Sequence, residues 1–357
     1  HFADSGGLMV IPSLKRHEPL AFVLKYFVAA KIRSTKEEVC STVCRMTTKP
    51  YYDPEVKAAL EKQENLGTVN AETISGARAS RLLRNEEVEL SDDVERVDHL
   101  ITGADGSEIR VRTHRCVDAD SLQPALYWTH GGGYVLGSPE QDDDRFDRWC
   151  RRFDLVGAAV QYRLAPEHPY PAGLEDSYAG LKWLKDNGES LGVDVTRIGI
   201  GGPSAGGGLA AALALLVRDR GEFEIDYQLL IYPMIDDSRA TETASWSVPI
   251  WNPESNHFGW SSYLGSLFES EDVPSYAAPS RELDLSGLPP TFIMTGSLDG
   301  FADEDIEYAK RLNHAGVSVE LHVYPGAPHG FDGFAGQTAV ARQARSDINA
   351  FLARMVG

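Results

Sequence analysis

The sequence predicts an α/β protein: a mostly parallel sheet of eight strands flanked by helices. Short apolar, β-rich runs alternate with helical stretches of about 10 to 15 residues, the rhythm of βαβ units. Several runs are apolar throughout, as strands covered on both faces must be. One long interruption, residues 236–285, separates two strands without offering a strand of its own.

Residues 1–90 carry helical patterns only. LAFVLKYFVAA, residues 20–30, is apolar but short and broken by Lys25. A membrane span needs about 20 residues, and a signal segment needs a small-residue cleavage site that does not clearly follow. The stretch reads as an amphipathic helix that packs on something. EEVCSTVCRM (37–46) and DPEVKAALEKQENLG (53–67) also suit helices, the second with Asp53 as N-cap, Pro54 in its first turn and Gly67 as its stop. The pattern changes at about residue 94. ERVDHLITG and EIRVRTHRC form a strand pair around a turn at 104–106. Further strands fall at 124–130, 155–164, 197–204, 228–234, 291–296 and 319–325. Helices fall between and after them, at 143–153, 174–187, 205–220, 302–314 and 336–355.

Charge and composition exclude several functions. Of 357 residues, 34 are Lys or Arg and 53 are Asp or Glu, a net charge of −19. Such a chain repels phosphate backbones and anionic lipid, so neither nucleic acid nor a membrane is an expected partner. The four cysteines, Cys40, Cys44, Cys116 and Cys150, contain no Cys-x-x-Cys pair. They read as reduced thiols of a cytoplasmic protein. No His-x-x-x-His or similar cluster points to a metal, and the glycine loops lack dinucleotide or P-loop spacing, so no metal and no cofactor are expected. A homodimer is left open.

The chemistry centres on Gly202-Pro203-Ser204-Ala205-Gly206, a G-x-S-x-G between an apolar strand and a helix rich in Ala and Leu. A serine on such a sharp turn needs a strained backbone, and flanking glycines remove the clashes that would block it. Its Oγ then stands at the carboxyl edge of the sheet, beside a helix N-terminus that suits a developing oxyanion. His130-Gly131-Gly132-Gly133 follows another strand at the same edge. Bare glycine backbone lets a carbonyl approach closely, and Gly132, Gly133 and Ala205 are the candidate oxyanion donors. A serine also needs a base, and the base an orienting carboxylate. His329 and Asp299 each follow a strand end, downstream in the order serine, acid, histidine. Asp303 is a rival acid that reads as first-turn helix; Asp236 and Asp237 are weaker rivals. His168 reads as a stabiliser of its proline-rich loop, and Asp332 as a loop cap or a substrate contact. The aromatic residues of 236–285, among them Trp246, Trp251, Phe258, Trp260 and Tyr263, read either as core of a small helical subdomain or as walls of an acyl pocket.

HGGGYVLGS, QYRLAPEHPYPAGLEDSYAGLKWL, GGPSAGGGLAAALAL, YAAPSRELDLSGLPPTFIMTGSLDGFADEDIEYAKRL and YPGAPHGFDGF agree in order and spacing with one family. Residues 90–355 resemble the hormone-sensitive-lipase family of α/β-hydrolases, the carboxylesterases with an HGGG motif. The resemblance implies an α/β-hydrolase fold with Ser204 as nucleophile, His329 as general base and acid, and Asp299 as orienter. It implies a helical cap built from residues 1–90 and the insertion at about 236–285, over a catalytic domain at 91–357. Tyr134, just after the glycine loop, and Trp251 and Trp260 of the insertion are candidate substrate-binding residues. The expected reaction is hydrolysis of short- to medium-chain carboxylic esters, a small-molecule substrate. Amide, carbamate or lactone hydrolysis by the same triad stays open, as does a non-catalytic receptor on the same fold. One departure is Pro203, where the family usually has an acidic or polar residue.

Overall fold

The computed structural model describes residues 51–63, 67–86 and 89–357. The helical patterns expected at 20–30 and 37–46 lie outside these residues, as do Cys40 and Cys44. The account below concerns the unit formed by Pro50–Gly357.

Helix α1 (Pro54–Leu60) begins as expected: the Asp53 carboxylate accepts hydrogen bonds from the Glu55 and Val56 N–H groups, and proline occupies the first turn. It ends earlier than the sequence pattern suggested. Val56 is its buried residue, and the polar stretch beyond Leu60 has no apolar face to hold it on the body. Helix α2 (Ile74–Glu86) follows. Strands β1 (Val94–Thr102) and β2 (Glu108–Cys116) then form the antiparallel pair, turning through Gly106 at φ 84°.

The remainder is a wound α/β sheet. In chain order come β3 (Gln123–Thr129), α3 (Asp143–Phe153), β4 (Val156–Gln161), α4 (Ala172–Asn187), β5 (Val193–Pro203), α5 (Ala205–Arg220) and β6 (Gln228–Ile231). After the long interruption, which holds α6 (Pro253–Leu264), come β7 (Thr291–Gly296), α7 (Ala302–His314), β8 (Val319–Tyr324), α8 (Phe331–Phe334) and α9 (Ala339–Val356). The eight strands lie in the order β1-β2-β4-β3-β5-β6-β7-β8. Only β2 runs against the other strands, antiparallel to both β1 and β4.

The central strands β3, β6 and β7 are buried along their whole length. Alternate residues feed two cores. Tyr127 and Ile293 point into one, with α4, α5 and α7; Leu126, Trp128, Phe292 and Met294 point into the other, with α3 and α9. Helix α5 is buried on all sides from Ala205 to Val217, which explains its lack of a polar face. Strand β6 stops at Ile231, short of the expected 234, because Tyr232 takes φ 36° and Pro233 has no N–H for a ladder. Cys116 and Cys150 are free thiols, and burial pushes Cys150 up to about 12. Among the described residues no helix is long and apolar enough to cross a membrane.

Candidate active site

Ser204 occupies the one-residue turn between β5 and α5, with φ 58° and ψ −125°. A non-glycine residue there carries strain of about 1–3 kcal/mol, which the surroundings must hold. They do so through the backbone: the Ser204 N–H donates to the Ile231 carbonyl at 2.8 Å, and its own carbonyl accepts from Met234 N–H at 2.9 Å and Gly208 N–H at 3.0 Å. The two flanking glycines are required by space. A Cβ on Gly202 or on Gly206 would run into the Thr129 carbonyl. Thr129 Oγ1 in turn donates to the Gly206 carbonyl at 2.7 Å. Strand β3 and the serine turn are thus locked together.

His329 and Asp299 come from the loops after β8 and β7, the same carboxyl edge. His329 Nε2 lies 2.9 Å from Ser204 Oγ, and its Nδ1 lies 2.8 Å from Asp299 Oδ2. The second carboxylate oxygen of Asp299 accepts the Phe301 N–H at 3.0 Å. A carboxylate only accepts, so Nδ1 carries the proton and Nε2 is free to take one from the serine. Ser204, His329 and Asp299 are 8%, 6% and 1% exposed. The rings of Phe301 and Tyr232 meet the imidazole edge-on, at 5.0 and 4.7 Å between centroids. Asp303 instead accepts the Thr243 N–H, and Asp237 forms a two-pronged pair with Arg281 at 2.6 and 2.8 Å. That pair staples the two ends of the 236–285 segment.

The glycine loop after β3 lies against the serine turn: a Cβ on Gly131 would sit 3.5 Å from Ser204 Cβ. Among the described residues, the N–H groups of Gly132, Gly133 and Ala205 donate to no backbone or side-chain acceptor. His130 is buried beneath the loop, stacked on Tyr162 at 4.2 Å, and burial pushes it down to about 3. It is neutral and holds the loop by packing. Arg78 of α2 reaches the Val135 and Ala165 carbonyls and both oxygens of Glu167. Glu167, rather than His168, therefore carries the side-chain ties of the proline-rich loop.

The three candidate substrate residues part company. Trp251 lies on the glycine loop, where a Cβ on Gly133 would run into its ring. Tyr134 donates its hydroxyl to the Met234 carbonyl at 2.7 Å and stacks on Tyr263 at 4.0 Å, while Trp260 packs beside it. At 2% and 0% exposure these two rings offer a ligand no surface. The expectation of wall residues narrows to Trp251. Tyr134 and Trp260 join the glycine loop to α6 instead.

Sequence reasoning passed over several neighbours. Ile250 has φ 78°, a genuine outlier for a β-branched residue, and its side chain lies 3.8 Å from where Gly330 would carry a Cβ. Asp332 accepts the Tyr232 hydroxyl at 2.6 Å and faces Arg145 at 3.4 Å, so it braces the ring that packs on His329. Buried Glu304 accepts the Ile235 and Asp236 N–H groups at 2.9 and 3.2 Å and anchors the start of the insertion. Only Asp332, three residues past His329, carried any signal in the sequence.

A strained serine, a histidine and a carboxylate in hydrogen-bond series, beside unoccupied N–H donors, can perform acyl transfer. A family model described as an alpha/beta hydrolase fold matches residues 126–333, more than half of the chain. The chain belongs to the α/β-hydrolase family. The resemblance to its hormone-sensitive-lipase branch holds as well. This hydrolase is 37% identical over 302 residues to a carboxylesterase named NlhH from Mycobacterium tuberculosis, covering 83% of this chain and 93% of that one. It is 37% identical over 235 residues to the esterase LipI of the same organism, covering 64% and 72%. Among solved structures, one titled bacterial heroin esterase superposes with a TM-score of 0.81 at 38% identity, covering 86% of this chain and 98% of that one.

Proposed function

We infer that the protein is a serine carboxylesterase that hydrolyses small-molecule esters through an acyl-enzyme on Ser204. The observation that carries this reading is the continuous Ser204–His329–Asp299 hydrogen-bond series beneath three free N–H groups. Ser204 Oγ attacks the ester carbonyl as His329 Nε2 takes its proton. The oxyanion forms within reach of Gly132, Gly133 and Ala205 N–H. His329 returns the proton to the leaving alcohol, then activates water to release the acid. Asp299 holds the imidazole tautomer and faces the imidazolium charge.

The segment at 236–285, together with residues 68–70, forms a cap over the site in this reading. Its support is local: Val69 N–H donates to Ser255 Oγ at 2.9 Å, and Asn252 Nδ2 to Thr68 Oγ1 at 2.9 Å. Trp251 and Ile250 bound the space beside the glycine loop and His329. A bounded pocket favours short and medium acyl chains, since each methylene that fits gains about 0.8 kcal/mol and the first that does not adds strain. The free Cys116 and Cys150 thiols support a cytoplasmic enzyme. A homodimer is the assembly to weigh by sedimentation.

The test is a kcat/KM series over p-nitrophenyl esters of about two to sixteen carbons. The expected profile rises from acetyl, peaks near butanoyl to hexanoyl and falls for long chains. Preference for twelve or more carbons contradicts the bounded pocket. Absence of turnover with p-nitrophenyl acetate favours the receptor, and faster cleavage of matched anilides favours an amidase.

A further inference from the structure

A cavity of about 660 Å³ opens between α3 and α9, beside the loop at 333–337. Its volume is that of a small-molecule site. Five arginines line it against two aspartates, a local surplus of 5 − 2 = +3 on a chain whose net charge is −19. The carboxylates nearby absorb this surplus at Arg145, Arg148 and Arg151 but not at Arg152 and Arg345. Arg148 pairs with Asp144 along its own helix, and Arg151 shares Asp147 with Arg96. Arg145 is divided between Asp142 and Asp332 at 3.4 Å each, its guanidinium held over the rings of Trp128 and Trp149. Among the described residues Arg345 donates to the Gly336 carbonyl, and Arg152 rests over the Phe153 ring. Among the described residues, neither of these two meets a carboxylate.

Guanidinium groups gathered at one cleft repel one another unless an anion sits between them, and their planar forks match oxyanion oxygens. Trp149 and Ile348 give the same cleft an apolar side. We propose that the cleft between α3 and α9 is a binding site for a small phosphate-bearing anion, held by Arg152 and Arg345 with Arg145 and Arg148 behind them. The site is separate from the ester site but not remote from it. Asp332 lines the cavity and accepts the hydroxyl of Tyr232, whose ring packs on His329.

The test is calorimetric titration of the full chain with inorganic pyrophosphate, at about 50 and about 200 mM salt. The expected result is one saturable site that weakens at least about fivefold at the higher salt, because counterions compete for the arginines. The double variant Arg152→Gln with Arg345→Gln is expected to bind at least about tenfold more weakly. The charge-preserving pair Arg152→Lys with Arg345→Lys is expected to fall between, which separates lost recognition from a lost fold. Arg342→Gln, on the same helix but outside the cavity, is expected to bind as the wild type does. No saturable heat at millimolar pyrophosphate overturns the proposal. So does unchanged affinity in the double Gln variant, or an equal loss in Arg342→Gln.

Discussion

The turn that carries Ser204 and the 236–285 segment both bound the site, but they are specified differently. In the turn, backbone space dictates residue type. Gly202 and Gly206 face the Thr129 carbonyl so closely that no side chain fits, and Ser204 is held at positive φ by three backbone hydrogen bonds. In the segment, side chains dictate position. Asp237 and Arg281 staple its ends, Glu304 anchors its first N–H groups, and Tyr134, Trp260 and Tyr263 pack its helix onto the glycine loop. In the proposed function, chemistry is built on the first kind of structure, and selectivity is left to the second.

The largest expected effects break the turn and its partners. Asp299→Asn should lower kcat by roughly 10⁴ with the fold intact, because the imidazole loses the group that fixes its tautomer. Asp303→Asn, which loses only a hydrogen bond to Thr243, should stay within about tenfold of wild type. Steady-state kinetics on the two variants decides it, and a larger loss in Asp303→Asn would show that the wrong carboxylate has been assigned. Gly206→Ala sharpens the comparison from the side of the fold. The new methyl meets the backbone carbonyl of Thr129, which cannot swing away, so the expected cost is about 3 kcal/mol or more by urea denaturation. Trp251→Ala is the matching change in the segment. It should leave stability within about 2 kcal/mol and move the preferred acyl length by one or more carbons.

These differences also mark what the sequence could disclose. The strands, the serine turn, His329 and Asp299 were legible because each follows from a local rule: apolar runs, glycines around a strained serine, a polar residue just past a strand end. Strand β7 and helices α5 and α7 have the bounds the pattern suggested. Tyr134 was legible as important but not as packed, and Trp260 as core or wall with nothing local to choose between them. An aromatic residue near a catalytic loop looks the same in sequence whether its ring faces a ligand or a neighbouring ring. Ile250 at positive φ, the Asp237–Arg281 staple and the Tyr232–Asp332 brace join residues up to 100 positions apart, and no local pattern encodes such pairs.

A smaller effect concerns the acids below the triad. Burial first, and then the charges of Glu304 and Asp299, hold the buried Asp305 carboxyl well above the usual carboxylate range. The native state therefore keeps a proton that the unfolded chain releases above about pH 4. Between that ordinary value and the raised native one, stability falls as pH rises. Asp305→Asn removes this titration. Relative to wild type, the variant should gain more stability at pH 8 than at pH 5, read from urea melts at both. Equal differences at the two values would contradict the account.

The central claim is that this one serine, on this one turn, forms the covalent intermediate. Treatment with a fluorophosphonate and mapping of the labelled peptide tests it most directly. The expected result is a single adduct per chain, on the peptide carrying Ser204, with activity lost in proportion to labelling and Ser204→Ala both unlabelled and slower by roughly 10⁴ to 10⁶. An adduct on another serine, or full activity in Ser204→Ala, would contradict it.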